Sequence, residues 1–278
     1  MQIGFMQGRL SEPVDGRIQA FPWRHWRDEF AEAGRLGFRL MEWTLDQERL
    51  YENPLMTPEG QAEIRELSHR HGLTIASLTG DCFMQAPFWK VDGERRMALV
   101  ADLDAILDAC AKLGIRYVLI PLVDNGRIES QWQADILHEH LLRRHERLKR
   151  DNMQIVFESD FSPERLAEFI SRYPAESFNI NYDIGNSAAL GFDPKEEIRA
   201  YSGRIVNVHV KDRVLGGTTV PLGMGNADFQ AVFDELVKAG YAGNFILQTA
   251  RAEANDHADV LVRYRNMTKA WWEAAGGS

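Results

Sequence analysis

Three residues with metal-binding chemistry close three successive apolar runs. Glu158 ends 154–158, Asp183 ends 179–183, and His209 lies in 205–210. Two carboxylates and an imidazole make a mixed oxygen and nitrogen set suited to Mn, Co, Zn or a similar divalent ion. A buried charge network tying loops together is the structural alternative. Other polar residues stand at the same kind of place. Gln7 and Arg9 close the run 2–6, Glu42 ends 39–43, and Asp81 follows 74–79. Asp124 and Asn125 follow 116–121, Lys211 and Asp212 continue from His209, and Gln248 ends 244–248, with Arg251 just beyond.

These residues need a scaffold that brings many strand ends to one place. The eight apolar runs alternate with helical patterns, which implies parallel strands joined by crossovers. Helix starts are marked by Thr57-Pro58, Ser162-Pro163 and Asp193-Pro194, a capping side chain before a proline. Glycines 72, 114 and 240 mark helix ends, where a left-handed residue is needed. Eight such units predict a single α/β domain, a (β/α)8 barrel over residues 1–273, with a small-residue tail at 274–278. A doubly wound open sheet is the competing architecture, but no glycine-rich dinucleotide fingerprint follows the first run. In a (β/α)8 barrel the C-terminal strand ends carry the active site, which is where the polar residues fall.

That placement gives the remaining residues expected roles. Arg9 and Arg251 can grip a carboxylate or phosphate, or can form surface ion pairs. Trp43 and Trp89 are expected in loops at the mouth, stacking on the apolar face of a sugar or simply packing. Glu42 can bond a substrate hydroxyl or cap a loop. His138, His140 and His145 do not share the spacing of a zinc-protease pair and read as a solvated helix face.

Composition narrows the partners. Hydrophobic residues make up 45% and charged residues 26% of 278, an ordinary globular balance. With 41 acidic against 32 basic side chains the formal charge is −9, which disfavours nucleic acid and anionic membrane as partners. The chain shows no signal-peptide pattern at its start and no spanning apolar run, so a soluble, cytoplasmic protein is expected. Cys82 and Cys110 have no metal-ligand spacing and fit a reducing compartment. Aromatic residues near the C-terminus, Trp271 and Trp272, suit helix docking or a homo-oligomer, dimer or tetramer.

The strings Val156-Phe157-Glu158, Asn181-Tyr182-Asp183-Ile184-Gly185-Asn186, Val208-His209-Val210-Lys211-Asp212 and Leu222-Gly223-Met224-Gly225 give the chain a recognisable signature. With them it resembles the xylose isomerase-like barrel superfamily, in its sugar isomerase and epimerase branch, over essentially its whole length. The resemblance implies one divalent metal ion (Mn, Co, Mg or Zn, with Mn favoured) held by Glu158, Asp183, His209 and a fourth residue. The fourth position, a glutamate in the family, falls on Gln248. A glutamine oxygen can ligate, but it cannot act as a general base. A histidine that contacts substrate in the family is Asn186 here.

The resemblance therefore implies a metal-dependent isomerase, epimerase or dehydratase acting on a small sugar or keto-sugar, with Glu158 as base. Gln248 breaks the pair of opposed carboxylates used for epimerisation, which favours isomerisation or dehydration with one carboxylate. Lys211 is the candidate for the other proton transfer. Two alternatives are a sugar-binding barrel without turnover, suggested by Gln248 and Asn186, and an apurinic-site endonuclease, which would need a basic groove.

Overall fold

The computed structural model describes residues 1–277 and contains a closed barrel of eight parallel strands. In chain order the barrel strands are Gln2–Met6, Leu40–Thr44, Thr74–Thr79, Tyr117–Leu122, Gln154–Ser159, Phe178–Asp183, Ile205–Val210 and Asn244–Leu247. Each lies within a residue or so of an apolar run in the sequence. The first and eighth strands pair directly, Gln2 with Asn244 through Phe5 with Leu247, and this pairing closes the barrel. A hairpin of two short pieces, Asp212–Arg213 and Thr219–Val220, follows the seventh strand.

The helix signals act as their chemistry requires. The side chains of Thr57, Ser162 and Asp193 accept from the backbone N–H of Gly60, Arg165 and Lys195, each with proline at the helix start. Helices Pro58–His71 and Gly93–Leu113 end at Gly72 and Gly114, both left-handed (φ 65° and 71°). The last helix, His257–Ala274, includes the first residue of the expected tail. Gly276 and Gly277 then bond back to Glu273 and Trp272, and Ser278 lies outside the described residues.

Because strand side chains alternate between faces, one face of each strand packs on the helices and the other fills the barrel. The outer layer is aromatic: Phe21, Trp26, Phe30 and Trp43 on one side, Phe157, Phe169, Tyr173 and Phe178 on another. Inside, Met6, Leu40 and Ile246 form one small apolar cluster, and Tyr117, Leu119 and Val156 form another. Toward the C-terminal strand ends the interior turns polar. Glu42 is register partner to Met6, His209 to Ile246, and Asp183 to His209.

Two tryptophans expected at the mouth are elsewhere. Trp43 is part of the second strand and fully buried, its indole N–H donating to Asn53. Trp89 is also fully buried, and its N–H donates to the Gly126 carbonyl. Their large apolar area is spent on the strand–helix layer, so neither presents a face to a ligand. The C-terminal pair is similar: Trp271 stacks on Phe229 at 4.1 Å, and Trp272 packs edge-on against Phe245. His140 is buried against Phe88, and His138 packs on Tyr173, so they do not form a solvated face. Among the described residues no helix is long and apolar enough to cross a membrane.

Candidate active site

Glu158, Asp183 and His209 come together at the C-terminal end of the barrel. One ligand atom from each lies within 4.8 Å of the others, and all three residues are buried. The fifth, sixth and seventh strands are neighbours, so register alone sets the three side chains side by side.

His209 is held through one nitrogen and faces two carboxylates with the other. Its Nε2 lies 2.8 Å from Glu42 Oε1. Its Nδ1 faces Glu158 Oε2 at 3.1 Å and Asp183 Oδ2 at 3.7 Å, in hydrogen-bond geometry with neither. Burial alone would lower the pKa of His209, but the charge of Glu42 first, then the neighbouring carboxylates of Asp183 and Glu158, raise it well above the usual value. Asp183 shows the converse. Burial would raise its pKa, yet the charge of Lys211, whose Nζ is 2.8 Å from Oδ2, and then His209 hold it below the ordinary carboxylate value.

Glu158 is clamped by two amides: Asn181 donates to Oε2 at 2.9 Å, and Asn186 to Oε1 at 2.6 Å. Asn186 is in turn fixed by Arg213, which donates to its Oδ1 at 2.8 Å. Asn186, where the resemblance implies a substrate contact, thus bonds the carboxylate and Arg213 in this structure. The network continues inward. Asn207 donates to Asn181 at 2.8 Å and to Glu42 Oε2 at 3.4 Å, and Ser77 donates to Glu42 Oε2 at 2.6 Å. Glu42 is therefore not at the mouth to meet a hydroxyl; it lies fully buried behind His209.

The donor atoms fit a divalent ion. Gln248 Oε1 and His209 Nδ1 are buried without a hydrogen-bond partner, and beside them Asp183 Oδ2 is met by the Lys211 ammonium. Such atoms are costly to bury unsatisfied and ordinarily have a partner. Gln248 extends the inward face of Ile246, and its backbone N–H donates to Val210 beside His209. The Nε2–H of His209 on Glu42 leaves Nδ1 as the ligating nitrogen, the usual carboxylate–histidine arrangement behind a bound metal.

Lys211 points inward to Asp183, its side chain 12% exposed. Gly185 makes this possible: a Cβ there would lie 2.7 Å from Lys211 Cγ. Gln7 is fully buried and accepts from Thr44 N–H, with its amide NH2 unpartnered. The two arginines are not surface ion pairs. Arg9 donates to the carbonyls of Thr249 and Ile18, and Arg251 to those of Ile18 and Ser11. Burial, then the nearby Arg251 charge, brings Arg9 down to about 9.

Asp212 was named only as part of the string after His209. It is buried, and its carboxylate accepts from the N–H groups of Gly223, Gly225 and Ala227, anchoring the turn that contains Gly223-Met224-Gly225. Ser77, Asn207, Arg213 and Gln19 were missed altogether. The alternation Asn179, Asn181, Asp183 and Asn207, His209, Lys211 is the signal for Asn207, since period-two polar residues in a barrel strand share the inner face. A cavity of about 1410 Å³ opens at the opposite end, lined by strand starts such as Ile3, Leu40, Thr74 and Arg116. None of the metal-site residues lines it.

The family profile described as xylose isomerase-like TIM barrel matches residues 30–266. The chain belongs to this family. Among relatives within reach of sequence comparison, an L-ribulose-5-phosphate 3-epimerase (UlaE) of Shigella sonnei is 24% identical over 269 residues, covering 90% of this chain and 91% of the relative. The corresponding enzyme of Escherichia coli SMS-3-5 is 23% identical with the same coverage. A solved L-ribulose 3-epimerase superposes with a TM-score of 0.74 at 18% identity, over 99% of this chain and 96% of the other. A D-allulose 3-epimerase from Methylomonas sp. gives 0.75 at 17% identity, over 98% of both. At such identities the superpositions establish the shared family fold. Named sugar epimerases in both comparisons make an isomerase- or epimerase-like enzyme the fitting class for this family member.

Proposed function

We propose that the chain is a divalent-metal-dependent isomerase of a small ketose or ketose phosphate, with Glu158 as the group that moves the proton. The observation that carries this is the single clamped carboxylate. Glu158 sits among Asp183, His209 and Gln248, and the residue at 248 is a neutral amide that cannot act as a general base. Glu158, Asp183, His209 and Gln248 would hold the ion, with Mn the preferred occupant of this oxygen and nitrogen set. When bound, such an ion polarises a substrate carbonyl or hydroxyl.

The remaining chemistry belongs to the side chains. Asn181 and Asn186 fix both oxygens of Glu158, so the carboxylate meets substrate in one orientation. One base that takes a proton from one carbon and returns it to its neighbour on the same face suffices for aldose–ketose isomerisation. Inversion at one carbon needs a second proton carrier on the other face. Lys211 is the only inward residue proposed for that role, and the epimerase names of the relatives support it as the second reading.

The test is a screen of Mn-loaded protein against ketopentoses, ketohexoses and their phosphates in D2O, followed by NMR. Aldose product with deuterium at the carbon adjoining the carbonyl, lost in Glu158→Gln, is the expected result. A ketose epimer lost in Lys211→Met would replace the first reading with the second. Tight binding of a sugar with no exchange or turnover would make the chain a binding protein.

A further inference from the structure

Gln19 lies in the segment after the first strand and was given no role by the sequence. Its side chain links two residues at the mouth. Gln19 Oε1 accepts from Gln248 Nε2 at 3.0 Å, and Gln19 Nε2 donates to Asp81 Oδ2 in a very short bond. Asp81 opens the short helix Asp81–Gln85 after the third strand and is buried.

The direction of this chain follows from hydrogen-bond inventory. An ionised carboxylate can only accept, whereas each amide has one accepting and one donating end. Asp81 therefore fixes Gln19 with its NH2 outward to the carboxylate and its oxygen toward Gln248. That oxygen in turn demands the NH2 end of Gln248. The oxygen of Gln248 is left over, and it is the atom found buried with no partner on the inward face of the eighth strand. Without the two outer residues nothing distinguishes the ends of this amide, and an NH2 turned inward would repel a cation.

We propose that Asp81 and Gln19 are positioning residues that turn the Gln248 amide oxygen toward Glu158, Asp183 and His209, making a neutral glutamine the fourth ligand. This rests on the metal site proposed above. It also explains how the site tolerates the loss of a carboxylate at 248: the negative charge stands two side chains further out, at Asp81. Burial, then the charges of Asp46, Glu158 and Glu42, push Asp81 up to about 7. A cation beside Glu158 relieves part of that repulsion, so the ion and the ionised relay favour each other.

The experiment is a double-mutant cycle on the full chain, reading Mn affinity by calorimetric titration at about pH 8, where Asp81 is ionised. Gln19 is a partly exposed loop residue, so Gln19→Ala leaves the barrel intact. It is expected to weaken Mn binding about tenfold, the low end for a residue that orients a ligand. Asp81→Asn is expected to give a smaller loss, because an asparagine can present either end to Gln19. Both losses should vanish in a Gln248→Ala background. Unchanged affinity in Gln19→Ala, or losses that persist in full without Gln248, would overturn the relay. In that case retained binding in the unaltered protein, abolished by His209→Ala, would leave the metal site standing. No Mn binding by the unaltered protein would overturn both.

Discussion

Replacing Glu42 by glutamine removes one oxygen and one charge from behind His209 without changing the volume of the barrel interior. Glu42 Oε1 accepts from His209 Nε2 at 2.8 Å, while Oε2 accepts from Ser77 and Asn207. Three donors converge on two acceptor oxygens, and a glutamine offers only one. If its NH2 turns toward His209, the ring must accept there, the proton moves to Nδ1, and the ligating lone pair is lost. If its oxygen turns toward His209, the Asn207 donor at 3.4 Å meets the NH2 instead. Either way the ring loses a charged acceptor. Partners of this kind contribute about 10- to 100-fold to metal affinity, which is roughly 1.4–2.8 kcal/mol. The assay is Mn titration of Glu42→Gln beside the unaltered protein, with circular dichroism to show that the barrel is folded. Affinity within about twofold of the original would refute the account of His209 as a ligand through Nδ1, because no outer bond would then be setting the ring.

Asp81→Asn should stabilise the metal-free protein at about pH 8 far more than at about pH 4. The folded carboxyl titrates near 7 against an ordinary 3.8, so the folded state holds the extra proton and stability falls as pH rises between those values. The ceiling is about 4 kcal/mol, read from urea unfolding at the two pH values, and an equal effect at both would show that Asp81 is not buried as described. Trp43→Ala should cost about 3–5 kcal/mol of folding stability, because it empties a fully buried site and removes one of the two donors to Asn53 Oδ1. A normal unfolding midpoint with a raised KM would instead restore Trp43 to the mouth. Gly185→Ala should displace the Lys211 stem from above residue 185, lowering turnover while Mn affinity changes little; unchanged turnover would remove Lys211 from the chemistry.

The barrel and the meeting of Glu158, Asp183 and His209 were legible because both depend on period and position. Apolar runs between capped helices locate the strands, and polar residues at their C-terminal ends can only point into or around the mouth. What the sequence did not disclose is which of two faces a residue takes at a strand end. Trp43 follows Glu42 directly, so when Glu42 turns inward Trp43 must turn outward onto the helices. A mouth residue was expected where alternation makes a core residue. Trp89 was misplaced for another reason: it lies in the segment after the third strand, where no periodicity reports burial. Gln19 was invisible because its partners, Asp81 and Gln248, are 62 and 229 residues away. Arg9 and Arg251 have the chemistry to bind anions, yet Nε and Nη1 of each are bonded to loop carbonyls, a use of arginine that leaves no trace in residue type.

The bond from His209 to Glu42 also has a mechanical meaning. In the order around the barrel, two other strands separate the second from the seventh along one arc and four along the other. The contact therefore crosses the lumen as a strut between residues 167 positions apart. Glu158, Asp183 and His209 all arise within the stretch 154–210, so a fragment spanning the later strands carries those three ligands without the strut. The histidine is braced only when the first quarter of the chain has folded across to meet it. An ion held at Nδ1 would thus report on closure: the ring is set only when the circle of strands is complete, and is freed once the second strand is released.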